Sequence, residues 1–133
     1  IFCMGSGLGV GHGIKQANPG QKLISFIGDS SFFHSGIAPL LNAVYNKSNP
    51  LLIIVDNQIT AMTGHQPSPG QESSPEIKIE NIVRALGVQH LKIIDPANQE
   101  ELVAAVKEFL DKKEVSVIIS RRICALLAKR KQQ

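Results

Sequence analysis

Residues 51–55 read Leu-Leu-Ile-Ile-Val, an unbroken apolar run closed by Asp56 and Asn57. A strand with one wet face alternates apolar and polar residues. A run without alternation suits a strand covered on both sides, as in a parallel sheet. Strand-like stretches recur at 22–27, 88–94 and 115–119, and helical segments separate them. Residues 31–46 carry Ile37, Leu40, Leu41, Val44 and Tyr45 at helical spacing, with Pro39 marking either a kink or the true start of the helix. Residues 81–86 form a helix stopped by Gly87. Residues 100–110 form an amphipathic one, with Asn98 as N-cap and Glu101 three residues on, in the manner of a capping box. A short helix is expected over 122–131. Strand alternating with helix predicts an α/β fold, a three-layer, mostly parallel sheet with helices on both faces.

A chain of 133 residues, 43% of them apolar, allows one ordinary core, so 1–133 is read as a single domain. It opens Ile1-Phe2-Cys3 with no methionine and no basic, apolar leader, and is therefore expected to be one piece of a longer chain. No apolar run approaches the length of a membrane span. Beyond Glu114 stand Arg121, Arg122, Lys129, Arg130 and Lys131 without an acid, leaving nine bases against eleven acids in the body. A basic end on a near-neutral body, with no basic residues interleaved with aromatics elsewhere, argues against nucleic-acid binding. Cys3 and Cys124 belong to no CxxC or Cys/His cluster. That argues against a zinc site or disulfide scaffold and makes a reducing, cytoplasmic setting the default.

Two segments fit neither pattern. Residues 5–13 read Gly-Ser-Gly-Leu-Gly-Val-Gly-His-Gly. Glycine at every second position is a poor helix start by propensity, and it lets a backbone approach another surface closely. Helix is expected to continue over 14–17 and to end at Asn18-Pro19-Gly20. Residues 58–75, rich in Gly, Pro, Ser and Thr, read as a long loop of the kind that is either functional or mobile.

The chemistry gathers at strand ends. One strand closes on Gly28-Asp29-Ser30 and the next on Asp56-Asn57. In open parallel sheets, ligands bind beyond the carboxyl ends of the strands. Neighbouring strands lie about 4.8 Å apart, so Asp29 and Asn57 would offer a carboxylate and a carboxamide to one point. Such oxygen donors suit Mg2+, which commonly takes one or two protein ligands plus phosphate oxygens. Ser30 and Ser31 open a helix, whose free N–H groups attract an anion. Cation and anion together describe a metal-bound diphosphate. Taken singly, Asp29 is more readily a helix cap and Asn57 the start of a turn; as a pair at corresponding ends of two consecutive strands they point to a metal. The early glycines give neither GxGxxG nor a P-loop, which argues against a dinucleotide fold.

The stretches CMGSGLGVGHG, GDSSFFHSG, NAVYNKSN and DNQITAMTGHQPSPG closely resemble the alpha subunit family of indolepyruvate ferredoxin oxidoreductases, over nearly all of the chain. GDS followed after a helix by DN is similar to the thiamine diphosphate motif. The resemblance implies a thiamine diphosphate-binding fold. It implies that Asp29, Asn57 and the Ile59 carbonyl ligate Mg2+, and that Gly28, Ser30 and Ser31 hold the diphosphate. Leu8 would prop the cofactor in its bent form, the Ser6 backbone would face the aminopyrimidine, and Met62 and Thr63 would line the pocket. His34 and His65, with His12, are implied candidates for the reaction centre, and His90 is read as surface.

The resemblance further implies oxidative decarboxylation of aryl 2-oxo acids such as indolepyruvate to acyl-CoA, with electrons passed to ferredoxin. The cofactor carries that chemistry as nucleophile and electron sink. Implied partners are a pyrimidine-binding domain, a beta subunit, ferredoxin and coenzyme A, in an oligomer. Iron–sulfur clusters and the activating glutamate are expected outside this stretch, so the stretch alone is expected to be inert. Ser30 in place of the motif's glycine favours the oxidoreductases over the decarboxylases. Ile123 stands where the family would have proline, at a strand exit. The alternatives are a non-oxidative thiamine diphosphate enzyme, of the 2-oxo acid decarboxylase or acetolactate synthase kind, and a non-catalytic α/β ligand-binding module.

Overall fold

The computed structural model describes residues 3–69 and 77–130. Residues 70–75 of the expected loop and Lys131 of the expected last helix lie outside them. Four parallel strands, β1 (Ile24–Gly28), β2 (Leu51–Asp56), β3 (His90–Ile94) and β4 (Ser116–Arg121), form one sheet in the order β1-β2-β4-β3. The helices are α1 (Gly7–Ala17), α2 (Asp29–Ser31), α3 (Ile37–Tyr45), α4 (Ile79–Ala85), α5 (Gln99–Leu110) and α6 (Ala125–Arg130). The expected parallel α/β architecture is present, with ends that differ from expectation by a few residues.

Strand order decides which face each helix covers. The chain moves from β1 to β2 and on past the place of β4 to β3, then steps back to insert β4. Right-handed crossovers put helices on opposite faces when the direction reverses. Accordingly α3 and α4 join α1 over one face, where Leu8, Leu40 and Val83 pack on Leu52, Ile54, Val117 and Ile119. Helix α5 covers the other, with Ala105 and Phe109 against Leu51, Ile53, Ile94 and Ile118. The run 51–54 is buried as expected, and Val55 is not. Beyond the reach of α5, Ile24, Phe26 and Val55 are exposed on this second face, Phe26 by 63%.

The glycine-rich stretch departs from expectation, because α1 begins inside it at Gly7. Tertiary packing supports the helix where propensity does not. A Cβ at Gly11 would lie 2.6 Å from both Leu23 Cδ2 and Ser25 Oγ, so α1 rides directly on β1, whereas Gly9 and Gly13 face open space. Gly5, at φ +81°, turns the chain against Ser35, whose hydroxyl donates to the Met4 carbonyl at 3.1 Å. Ser35 lies in a wide π turn, Phe32–Gly36, joining α2 to α3. Pro39 has no N–H and crowds the carbonyl four residues earlier, that of Ser35, which accounts for a widened turn just upstream. The regular helix thus starts at Ile37, two residues before the proline.

Candidate functional site

Gly28 is extended (φ −77°, ψ 158°), and helix begins at the next residue. The carboxyl end of β1 and a helix start therefore coincide at Asp29. Gly28 pairs with Val55 across the sheet, which sets Asp29 level with Asp56 and one step short of Asn57. Asp29 is 4% exposed. Its Oδ1 accepts the Ser30 N–H at 2.7 Å, while its buried Oδ2 has no hydrogen-bond partner. Burial raises the Asp29 pKa above the usual carboxylate range and the Asp56 charge adds to that, against the opposing pull of the Ser30 and Gln58 amides. A buried, unpaired carboxylate oxygen is costly, and a cation is the partner that relieves it.

The loop after β2 supplies the other oxygens. Asn57 Oδ1 accepts the Ile59 N–H at 3.0 Å, closing an Asx-type turn through Gln58 at φ +62°. The Ile59 side chain is buried, and its carbonyl accepts the Ala61 N–H at 3.0 Å with a second lone pair left over. Thr60 then reaches back to α2, its Oγ1 lying 2.6 Å from Ser30 Oγ. Carboxylate, carboxamide and backbone carbonyl make an all-oxygen donor set, the chemistry of a hard cation such as Mg2+. Ser30 and Ser31 are half-buried at the helix start, where the Ser30 N–H is engaged by Asp29 Oδ1 and the Ser31 N–H is the one suited to an anion.

The ends of β2 and β4 are tied together. Arg121 Nε donates to Asp56 Oδ2 at 2.6 Å, and its Nη1 and Nη2 donate to the two Glu80 oxygens at 3.2 and 2.6 Å. The Arg122 and Cys124 amides donate to the Asp56 and Asn57 carbonyls at 3.0 and 3.2 Å. The Arg121 side-chain bonds hold Glu80 below its ordinary pKa, and those to Glu80 and Asp56 raise that of Arg121.

The remaining expected site residues lie around this centre or apart from it. Ser6 precedes α1 without a side-chain cap, and Leu8 is buried in the main core, 1% exposed. Met62 is fully exposed on a 3-10 turn, Ala61–Thr63, and Thr63 Oγ1 bonds Gln66. His34 is exposed on the π turn. His65 is half-buried at φ +61°, with Nε2 buried and unpartnered, as is the hydroxyl of Ser68. His12 is a buried structural group instead, its Nδ1 2.8 Å from Ser48 Oγ near the opposite end of the sheet. His90, expected on the surface, is half-buried 6.1 Å from the Phe109 ring. Sequence reasoning missed Thr60, Ser68, Asp56, Arg121 and Glu80. Asp56, Thr60 and Ser68 stood in the stretch DNQITAMTGHQPSPG without a role of their own, and the ion triad needs the strand order to be seen.

Residues 1–120 match the family described as thiamine pyrophosphate enzyme, C-terminal TPP binding domain. The indolepyruvate oxidoreductase subunit IorA of Methanothermobacter thermautotrophicus is 45% identical over 132 residues, 95% of this chain and 21% of that protein. The protein of the same name from Pyrococcus horikoshii is 40% identical over 143 residues, 94% of this chain and 22% of its own. The chain thus spans about a fifth of the length of the curated relatives it matches. Among solved structures, a thiamine diphosphate-dependent 4-hydroxybenzoylformate decarboxylase from Rhodococcus jostii superimposes with a TM-score of 0.69 at 26% identity, covering 90% of this chain and 23% of that one. The 2-oxoglutarate:ferredoxin oxidoreductase of Magnetococcus marinus gives a TM-score of 0.76 at 16% identity, covering 90% of this chain and 45% of that one, a likeness of fold.

Proposed function

Because this chain belongs to the family of C-terminal TPP-binding domains of thiamine pyrophosphate enzymes, we propose that it is the diphosphate- and Mg2+-holding domain of a longer, indolepyruvate-type 2-oxo acid:ferredoxin oxidoreductase. The observation that carries the cation reading is the buried, unpartnered Oδ2 of Asp29 beside a helix start. The residues present fit a magnesium diphosphate. Asp29, Asn57 and the Ile59 carbonyl would hold the cation, and the Ser31 amide, with Ser30 and Gly28, would hold the phosphate oxygens. Bound there, thiamine diphosphate supplies a nucleophilic carbon and an electron sink for decarboxylating a 2-oxo acid.

The chain's own residues hold and orient. Asp29 would neutralise one metal charge, and the Ser30–Thr60 contact helps fix the loop that carries Asn57 and Ile59. Ser6, Met62 and Thr63 would face the rest of the cofactor, whereas the Leu8 side chain, packed in the main core, does not reach it. His34 and His65 are the titratable candidates for moving a proton at the reacting centre, His65 having a buried ring nitrogen free. The substrate is proposed to be an aryl 2-oxo acid, with coenzyme A as acyl acceptor. The proposal places iron–sulfur clusters, which would carry the electrons to ferredoxin, elsewhere in the assembly, beside a beta subunit and a pyrimidine-binding domain. Among the described residues no helix is long and apolar enough to cross a membrane. Cys3 and Cys124 are free thiols, which suits the proposed cytoplasmic setting.

The likeness to a decarboxylase at 26% identity favours one second reading, a non-oxidative 2-oxo acid decarboxylase. Calorimetric titration of the full-length protein with thiamine diphosphate tests the site, with binding expected only when Mg2+ is present. Supplying indolepyruvate, coenzyme A and ferredoxin then separates the two reactions. Ferredoxin reduction with acyl-CoA formation supports the proposal, and aldehyde release without ferredoxin reduction supports the alternative.

A further inference from the structure

Two carboxylates, not one, stand at the ends of β1 and β2. Asp29 and Asp56 are level across the sheet, both are buried, and the negative field of Asp56 is felt at Asp29. A second acid beside a metal ligand has two effects. It draws cations into the site, and it repels a diphosphate. The structure sets Asp56 aside. Arg121 is level with it on β4, donates Nε to Oδ2 at 2.6 Å, and anchors its fork on Glu80 from α4. The other oxygen of Asp56, Oδ1, accepts the Gln58 N–H at 3.3 Å, inside the turn that leads to Ile59.

We infer that Arg121 is a positioning residue for the cofactor site, acting through Asp56: it cancels and turns aside the second carboxylate, leaving Asp29 as the single acidic ligand. This rests on the reading of the site as one for a magnesium diphosphate. It assigns Arg121 an electrostatic part that the ion triad would not have as a plain structural tie. Guanidinium is suited to the task because it stays charged and bonds two acids at once in a fixed plane. Glu80 limits how much positive field Arg121 exerts, so the triad sets the net charge beside the site.

The test uses the full-length enzyme and two ligands read separately. Free Mn2+ measured by electron paramagnetic resonance gives the affinity for the cation alone. Calorimetry gives the affinity for thiamine diphosphate at saturating Mg2+. Arg121→Met frees the Asp56 charge. It is expected to tighten Mn2+ and to weaken thiamine diphosphate, each by about threefold to tenfold, and Arg121→Met with Asp56→Asn is expected to restore both. Glu80→Gln, which keeps the arginine, is expected to move both affinities the opposite way, and it carries the test if the methionine variant fails to fold. A plain structural tie predicts both affinities weakened together in every variant, with no rescue by the second substitution, and that result overturns the inference. Wild-type enzyme that binds no thiamine diphosphate in Mg2+ overturns instead the reading on which the inference rests.

Discussion

The hydroxyl oxygens of Ser30 and Thr60 meet at 2.6 Å across the carboxyl ends of β1 and β2. One belongs to a helix start and the other to a loop three residues beyond Asn57, so this hydrogen bond joins the two halves of the candidate site. Replacing Thr60 with Val keeps the shape and removes the bond. The variant is expected to lose about 0.5–1.5 kcal/mol of stability and to bind thiamine diphosphate several-fold more weakly, while Thr60→Ser keeps both. Urea unfolding and calorimetry of the pair check this, and equal behaviour of the two variants would count against a joining role.

Asp29→Asn separates stability from binding. Burial holds the Asp29 pKa above its unfolded value. Its contribution to stability is therefore greatest below about pH 4 and is lost as pH rises through the folded value. At neutral pH the empty site carries an unfavourable charge, which asparagine removes. The ligand-free variant is expected to unfold at higher urea than wild type at pH 7, with the gap narrowing as pH falls toward 4. In thiamine diphosphate and Mg2+ the order reverses, because only wild type gains ligand stabilisation.

Glu80 has the opposite sign. Hydrogen bonds from Arg121 hold its pKa below the unfolded value. Its contribution is present above about pH 4.3 and is lost as pH falls through the lower folded value. Partial exposure and screening keep it to less than about 1 kcal/mol. Glu80→Gln is expected to lower stability at pH 7 and to leave it unchanged at pH 2, read by urea titrations at both. A constant difference across that range would exclude the ion pair as its source.

Two glycines of α1 are expected to respond in opposite directions. Gly11→Ala drives a methyl into Leu23 and Ser25, 2.6 Å away, and overpacking of that kind costs about 1–3 kcal/mol. Gly9→Ala meets open space and gains helix propensity, up to about 1 kcal/mol. Thermal unfolding midpoints of this chain should therefore fall for the first and rise for the second.

Asp29 and Asn57 were legible in the sequence because each ends its own apolar run and one helix joins the two strands, a local pattern that makes neighbours. The unbroken run 51–55 announced its parallel setting for the same reason. Arg121 was not legible. Its pairing with Asp56 depends on β4 inserting between β2 and β3, and no local feature near residue 121 records that choice. The start of α1 was misjudged at Gly7 because propensity is a property of the chain, whereas the contacts of Gly11 with Leu23 and Ser25 belong to the fold. His12 looked like the other histidines until Ser48, 36 residues away, appeared beside its ring.

Because β4 enters between β2 and β3, the Asp56–Asn57 end acquires its anchors from residues 121–124, far along the chain from the loop they hold. Without them the Ser30–Thr60 bond still ties the loop to α2, but the Asp56 and Asn57 carbonyls lose their partners on the Arg122 and Cys124 amides. Order at the rim of the candidate site therefore depends on one of the slowest kinds of contact to form, a pairing of strands distant in sequence.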